Sequence, residues 1–345
     1  MDLRGKWKLF MGAALVLLLV VLVILFAVEG RSVFETMRGL NPTYIMLALA
    51  AYAGVQLAWG LKWYLHVRKI CKKAGFLYVL IANMAGNFVS ITTPSGRLAG
   101  EPVRAGAVAR RYKCSFPDMF ASTVVDKMGL TAGMFSILIP MVIYLYAKYD
   151  MPDLLNYLLF FFFLFWIAVG LITFTIIKSM KWWKADKVVD IAIVVTRFFK
   201  GPSPFDRQAI IGKVADGLRS FRETVKEQLR DPVSMSADLV LAITIYLLRF
   251  AAAYMFFMAI DYHVSFVLVA ITVHMGFIIS LVIPVALPEL SMATLYSVLG
   301  LDQTPAGIVA VLTQANFYVF ELGLGYIAAW LVNFLGVSKK VRSPF

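Results

Sequence analysis

The chain contains several uninterrupted apolar runs that are long enough to cross a lipid bilayer. The first, residues 9–28, has the sequence LFMGAALVLLLVVLVILFAV and carries no charged side chain. A helix needs about 20 apolar residues to span the hydrocarbon core, so runs of this kind exclude a soluble fold. The short alternating strands typical of a membrane β-barrel are absent from the sequence. The chain is therefore predicted to be an all-α polytopic membrane protein, a single integral membrane domain over residues 1–345.

The apolar pattern predicts about six full spans and two shorter segments. The spans are predicted at 9–28, 43–65, 117–147, 154–177, 234–260 and 305–336. Each shorter segment, 77–93 or 264–283, ends at a proline that is followed by small and charged residues. A proline and small residues interrupt a helix, so the chain is expected to turn at these two points.

Lysine and arginine in the short loops predict the orientation, because cytoplasmic loops carry an excess of both. The loop 66–76, the stretch 97–113, the segment 178–231 and both chain ends are basic, so they are expected in the cytoplasm. The turns at 148–153 and 261–263 are expected outside the cell membrane. The same bias accounts for the net charge of +13 without a nucleic-acid partner.

These orientations make both shorter segments candidates for re-entrant hairpins. The first hairpin, 77–115, has cytoplasmic charge on both sides, and the second, 264–304, is expected to enter from outside. Backbone that turns at membrane depth is tolerated only where it is buried in protein or lines a cavity, so two hairpins indicate a site. The alternative is that both segments cross the membrane fully.

Two sets of three positions share the same spacing, sixteen residues and then nine. The first set is Glu101, Pro117 and Asp126, and the second is Glu289, Pro305 and Gln314. The spacing predicts two repeats, 43–147 and 234–337, which the loop charges place in opposite orientation. Inverted-topology repeats are a common plan of transporters that bind their substrate near the midplane of the bilayer.

Ionisable residues at membrane depth are functional candidates because burying them is unfavourable. The candidates are Arg97, Glu101, Arg104, Asp126, Lys127, Arg249, Glu289 and Glu321. Glu101 and Arg104 share a helix face, whereas the adjacent Asp126 and Lys127 are expected to meet different partners. These groups either form structural ion pairs, for example Arg249 with Glu289 or Asp126 with Arg97, or contact an anionic ligand. Phosphate contact is favoured for Arg97 and Arg104, because guanidinium groups match phosphate geometry.

The turn of the first hairpin has the features of an anion site. Gly96 and Gly100 allow tight turns and a close approach of the backbone to a ligand. A helix that begins near Gly100 also presents unpaired N–H groups and the positive end of its dipole.

Residues 178–233 are predicted to form cytoplasmic amphipathic helices. The stretch 181–200 mixes aromatic, basic and apolar residues, which is typical of a helix lying on anionic lipid. The stretch 204–231 is predicted to pack against the bundle or a partner through apolar residues at helical spacing. These residues are Ile211, Val214, Leu218, Phe221 and Val225.

Cysteine and histidine usage predicts neither a disulfide nor a metal site. Cys71 and Cys114, the two cysteines, both fall in segments assigned to the cytoplasm, where disulfides are rare. The three histidines form no Cys/His cluster, so no metal or other cofactor is expected.

Two stretches carry a family resemblance. NFVSITTPSGRLAGEPVRAGAVARR (87–111) and ASTVVDKMG (121–129) resemble the flippase-like transmembrane region of bacterial lysylphosphatidylglycerol synthases, which also occurs as stand-alone membrane proteins. The matching positions are Asn87, Thr93, Pro94, Gly96, Gly100, Glu101, Arg104, Asp126 and Lys127. The family's second motif, Pro-Gly-Gly-x-Gly before a glutamate, keeps only Pro284 and Glu289 here, in IPVALPELS.

The resemblance implies lipid translocation rather than lipid synthesis, because the soluble aminoacyl-transferring domain of the full synthases is absent. The expected function is a flippase or transporter for an anionic or aminoacylated phospholipid or a polyprenyl-phosphate-linked lipid, and not an enzyme. Head-group contacts are assigned to all the candidates above, from Asn87 to Lys127, together with Arg249, Glu289, Gln314 and Glu321.

Two other functions stay open at this point. A membrane-embedded polyprenyl-diphosphate phosphatase also fits paired hairpins, with Ser90 and Ser95 as the hydroxyl groups near the first motif. An accessory membrane subunit of a glycosyltransferase or synthase is the other. Membrane lipids are the expected partners, and a second copy of the chain or a lipid-modifying enzyme is the protein partner considered.

Overall fold

The computed structural model describes residues 39–93, 99–148, 207–282 and 288–338, and scattered positions between 156 and 175. The elements in these residues are helical. They are α1 (Pro42–Ile70), α2 (Phe76–Thr92), α3 (Gly100–Tyr112), α4 (Phe116–Lys148), α5 (Arg207–Arg230), α6 (Pro232–Ala259), α7 (Phe266–Val282), α8 (Pro288–Val298), α9 (Gln303–Phe317) and α10 (Leu324–Ser338). A π-helical turn, Tyr318–Gly323, joins the last two without interrupting the helical path.

Among the described residues, four helical segments are long and apolar enough to cross a membrane, which supports a multi-pass membrane protein. They are Pro42–Ile70, Phe116–Lys148, Pro232–Ala259 and Gln303–Asn333. Each coincides with a predicted span. The predicted span 9–28 lies outside the described residues, and 154–177 is described only at scattered helical positions.

The two long helices α1 and α6 begin with the same sequence device. An Asx side chain caps the helix and a proline occupies its first position, where the missing N–H needs no partner. Asn41 accepts from the Thr43 N–H at 3.0 Å, and Asp231 accepts from the N–H groups of Val233 and Ser234.

Helices α1 and α6 pack side by side and run antiparallel. The Asn41 N–H, at the start of α1, donates to the Ala259 carbonyl at the end of α6 over 2.9 Å. At the opposite end, His66 of α1 meets Asp238 of α6. The two helices thus enclose a shared interface along most of their length.

Two pairs of short helices occupy the places where the sequence predicts hairpins. Helix α2 packs against α10, where a Cβ on Gly325 would lie 2.9 Å from the Phe88 Cβ. Helix α7 packs against α4 through Ile271 and Met275, which share an apolar cluster with Met134. The helical character of these segments agrees with the sequence, and their re-entrant path stays a prediction.

Helix α5 lies against α4. Val225 packs on Ala121 and Val125 of α4, and the Ser220 hydroxyl donates to Asp118 at the start of α4. The predicted apolar face from Ile211 to Val225 is at least half-buried, as a packing face requires. The predicted interfacial helix 181–200 lies outside the described residues.

A disulfide joins Cys71 and Cys114, contrary to the sequence-based expectation. Cys71 follows α1 and Cys114 follows α3. Because α2 and α3 form a pair, the end of α3 returns to the end of α1, and the Cα atoms come within 6.3 Å. That separation is within the range that a disulfide spans, whereas the expectation considered only the compartment.

Candidate functional site: a chain of alternating charges

Seven side chains form one continuous line of ionic contacts through the interior. In order they are His66, Asp238, Lys62, Asp126, Arg104, Glu101 and Lys127, hereafter the charge chain. All except Lys127 are buried. They belong to α1, α3, α4 and α6, so the charge chain joins the two halves of the sequence.

Lys62 lies at the centre of the charge chain. Its Nζ is 2.9 Å from Asp126 Oδ1 and 2.8 Å from Asp238 Oδ1. The same Asp238 oxygen is 2.7 Å from His66 Nε2. Lys62 is fully buried, and such a cation is tolerated only where carboxylates compensate it.

Arg104 uses its whole guanidinium fork inside the protein. Nε donates to Glu101 at 2.7 Å, Nη1 to Asn83 Oδ1 at 2.6 Å and Nη2 to Asp126 Oδ2 at 2.8 Å. Its Cζ also lies 4.6 Å from the centre of the Trp63 ring. The predicted Glu101–Arg104 neighbourhood on one helix face is present. Arg104 in this conformation is therefore occupied by protein partners.

Asp126 and Lys127 point to different partners, as the sequence indicates. Asp126 pairs with Lys62 and Arg104, while Lys127 Nζ lies 3.0 Å from Glu101 and 5.3 Å from the centre of the Trp59 ring. The Lys127 side chain is 39% exposed, so it is the accessible cation of the charge chain. Arg97, the partner suggested for Asp126, lies outside the described residues, so that pairing stays a prediction.

A second ion pair lies close by, between α6 and the π-helical turn. Arg249 Nη2 is 3.3 Å from Glu321 Oε1, and that oxygen also accepts from Gln56 at 3.0 Å. The Arg249 guanidinium lies over the Trp59 ring, 5.3 Å from its centre. The side chain of the suggested partner Glu289 lies outside the described residues, so a pairing of Arg249 with Glu289 stays a prediction. Trp59, which contacts both Arg249 and Lys127, connects this pair to the charge chain.

Helix α1 supplies one polar and aromatic face to both groups. The contributing residues are Tyr52, Gln56, Trp59, Lys62, Trp63 and His66. They follow steps of three or four positions, so they lie on one face, and the 14 steps from Tyr52 to His66 cover about 21 Å of helix. Sequence reasoning missed this face because it placed His66 in the basic loop 66–76 and did not count Lys62, inside the predicted span 43–65, among the ionisable candidates. Their helical spacing was the available signal.

Close packing at two glycines, Gly129 and Gly100, lets these side chains meet. A Cβ on Gly129 would lie 1.4 Å from Asp238 Oδ2, so only a glycine of α4 admits this carboxylate. A Cβ on Gly100 would lie 2.0 Å from the Gly86 carbonyl oxygen, which brings α3 against α2. The Gly100 N–H is 3.0 Å from Ser90 Oγ. Gly100 therefore serves helix packing in this structure.

The remaining candidates are distributed around these groups. Asn87 and Gln314 are buried, and the Asn87 Nδ2 has no hydrogen-bond partner among the described residues. The Thr93 hydroxyl donates to the Val89 carbonyl at the end of α2. Pro94, Gly96 and Arg97 lie outside the described residues, as does the side chain of Glu289.

The charge chain is formally balanced. Lys62, Arg104 and Lys127 supply three positive charges against three carboxylates, with His66 neutral. Intramembrane charges that pair in this way mark ion or substrate pathways in many membrane proteins. In the described part of the chain, no group of three or more His, Cys, Asp or Glu side chains could hold a metal ion.

The family described as "Lysylphosphatidylglycerol synthase TM region" matches residues 11–325. The chain belongs to this family. It is also 22% identical to a protein described as a "UPF0104 membrane protein" from Methanothermobacter thermautotrophicus, over 95% of this chain and 94% of that protein. No solved structure matches the chain. The family membership agrees with the motif between Asn87 and Lys127, which contributes four members of the charge chain.

Proposed function

We propose that the protein is a lipid flippase that binds a polar head group where its two halves meet. The substrate class is an anionic or aminoacylated phospholipid, or a polyprenyl-phosphate-linked lipid, and no covalent step is involved. The observation that carries the proposal is the charge chain, which crosses between the two halves at Lys62 and Asp238. A charge pair at such a junction breaks or re-forms when the halves move relative to each other.

The helix lengths support two equivalent halves. Helices α1 to α4 have 29, 17, 13 and 33 residues. In the second half, α6 to α8 have 28, 17 and 11, and the last long span has 31. The same order of long, short, short and long helices fits the repeats predicted at 43–147 and 234–337.

The packing of the two halves supports their inverted relation. The corresponding helices α1 and α6 run antiparallel, as an inverted repeat requires. Helix α2 packs on the last long segment of the second half, and α7 packs reciprocally on α4 of the first. Transporters of this plan hold their substrate between the repeats and expose it alternately by rocking.

The chemistry of the junction suits a phosphate-bearing head group. Lys127 is accessible beside Trp59. Glu101 lies between Lys127 and the buried Arg104. A phosphate entering here replaces Glu101 as the partner of Lys127, and Glu101 then becomes available to a cationic lysyl group. The acyl chains stay in the bilayer, so only the polar head needs a protein path. We place the protein in the cell membrane with both termini in the cytoplasm, with lipids as partners and a second copy as the protein partner to test.

Transport of fluorescent phosphatidylglycerol in reconstituted vesicles tests the proposal. Dithionite destroys only the fluorophores in the outer leaflet, so flipping raises the bleached fraction above that of protein-free vesicles. We expect Lys127→Gln to slow flipping about tenfold, the effect of losing one charge-assisted contact.

The matched control is Lys148→Gln, which changes a lysine near the end of the same helix that contacts Tyr144. It should flip at the wild-type rate. If vesicles with the wild-type protein show the same bleached fraction as protein-free vesicles, the proposal is contradicted. Release of phosphate from a polyprenyl diphosphate by the same preparation would instead indicate a phosphatase.

A further inference from the structure

His66 is buried, and one of its two ring nitrogens contacts a carboxylate while the other has no hydrogen-bond partner among the described residues. Nε2 lies 2.7 Å from Asp238 Oδ1, and the whole residue is fully buried. Nδ1 is buried as well and has no hydrogen-bond partner among the described residues. Because a carboxylate oxygen only accepts, Nε2 carries the hydrogen and Nδ1 carries a lone pair. A proton that reaches this residue therefore binds at Nδ1.

Asp238 Oδ1 is shared by two cation sites. Lys62 Nζ lies 2.8 Å from it and His66 Nε2 lies 2.7 Å from it. When His66 gains a proton, this oxygen faces two positive charges and holds Lys62 less tightly. The titratable groups around His66 are Asp238 on α6, Lys62 on its own helix and Asp126 on α4, and α5 contributes the Gln228 amide.

The charge chain transmits this imbalance to its far end. Lys62 then interacts more strongly with Asp126, which weakens the pairing of Asp126 with Arg104. Arg104 in turn interacts more strongly with Glu101, so the pairing of Glu101 with Lys127 weakens. The charge chain has no net charge while His66 is neutral, so one added proton gives the charge chain a net charge of +1. Lys127 is the accessible cation, and a singly charged phosphodiester there restores neutrality.

We propose that the His66–Asp238 pair is a proton site whose loading is coupled to capture of one singly charged phosphodiester at Lys127. This inference rests on the proposed function and adds to it a coupling ion and a stoichiometry. By linkage, the anion also tightens proton binding, so binding of one partner is measurable through the other.

Proton uptake during lipid binding tests the coupling. The full-length protein, in uncharged detergent near neutral pH and weak buffer, is titrated with dihexanoyl phosphatidylglycerol while an indicator dye reports protons and calorimetry reports binding. Wild type should take up about one proton per lipid bound, because the added proton and the singly charged phosphodiester cancel within the charge chain. His66→Gln keeps an N–H donor but cannot gain the charge, so it should take up none. Dihexanoyl phosphatidylcholine should give no uptake.

Two histidine variants are matched controls. His274→Gln changes a buried imidazole that packs on Tyr246 and Phe250, and His263→Gln changes an exposed one. Both should keep wild-type uptake. If His66→Gln does not fold, Asp238→Asn gives the independent test. Without that carboxylate the charge chain is already one charge positive, so phosphatidylglycerol should bind without proton uptake.

The outcomes separate this inference from the proposed function. Lipid binding without proton uptake in wild type, or uptake that persists in His66→Gln, overturns the coupling and leaves the flippase proposal standing. No binding of phosphatidylglycerol at any pH overturns the coupling and also excludes phosphatidylglycerol as the substrate of the proposed flippase. Uptake with glycerophosphoglycerol, which lacks acyl chains, supports coupling to the phosphodiester alone. Uptake with phosphatidylglycerol but not with glycerophosphoglycerol supports coupling to a bilayer lipid.

Discussion

At the scale of single residues, Lys62 shows the largest difference between what the sequence predicts and what the structure contains. Near the end of an apolar helix, a lysine is expected to extend its side chain to the interface. Lys62 is instead fully buried between Asp126 and Asp238. The sequence singled out Asp126 because it lies inside a predicted span. Its pairing with Lys62 comes from tertiary packing that no local pattern contains.

Removing the Lys62 charge should destabilise the protein strongly. Lys62→Met leaves two buried carboxylates uncompensated, and breaking a buried ion pair costs about 3–5 kcal/mol. Lys69→Met, on the same helix, removes a half-exposed partner of Asp231 and should cost less than about 1 kcal/mol. Thermal unfolding in detergent measures both, and equal melting temperatures for the two variants would show that Lys62 is not a structural charge.

Asp231 should give a small acid-dependent contribution to stability. The Lys69 ammonium donates to its carboxylate and lowers the pKa of Asp231, with help from the N–H groups of Ser234 and Val233. A lowered pKa means that the contribution is present above the ordinary value near 3.9 and disappears as the pH falls through the folded-state value. The melting temperature of Asp231→Asn should therefore lie below that of wild type at pH 7 and converge with it in acid. A difference that persists unchanged in acid would contradict this.

At the scale of elements, Gly100 of the first motif has a structural role that the sequence did not indicate. Gly100 was expected to admit a ligand, and a small residue is indeed required there. The structure uses it to bring the α3 backbone against Gly86 of α2. The sequence predicted the four long spans because length and hydropathy alone define them. Which helix faces touch depends on the shapes of both partners.

Gly100→Ala should separate α2 from α3. Its Cβ would lie 2.0 Å from the Gly86 oxygen, and overpacking of this kind costs about 1–3 kcal/mol. Gly106→Ala on the same helix is the matched control, because the nearest side-chain atom would lie 3.7 Å away. The control should unfold at or above the wild-type temperature. A Gly100→Ala protein as stable as the control would refute the close contact.

At the scale of the whole molecule, charge bias and structure agree on which ends lie together. Lys69 and Asp231 pair at the basic end of the bundle, and Asn41 meets Ala259 at the other. The disulfide between Cys71 and Cys114 lies at the basic end and was missed, because the compartment argument ignores proximity. Substitution of both cysteines by serine gives a background for single-cysteine labelling.

Labelling from either side of the membrane tests the arrangement of the ends. In that background, Lys73→Cys and Lys226→Cys, both exposed, should react from the cytoplasm. His263→Cys should react from outside, because it follows the end of α6 that lies beside Asn41. Reaction of all three positions from the same side would contradict the antiparallel crossing of α1 and α6.

Native mass spectrometry with lipid identification tests most directly whether the charge chain holds a head group. Arg104→Ala is a poor probe, because Arg104 already pairs with Glu101 and Asp126 and its loss disturbs the fold. Gently purified wild type, Lys127→Gln and Lys148→Gln are compared instead. We predict a retained phosphate-bearing lipid in wild type and Lys148→Gln that is lost from Lys127→Gln. Equal lipid retention by all three, or none by any, would contradict the account and leave the charge chain a structural feature only.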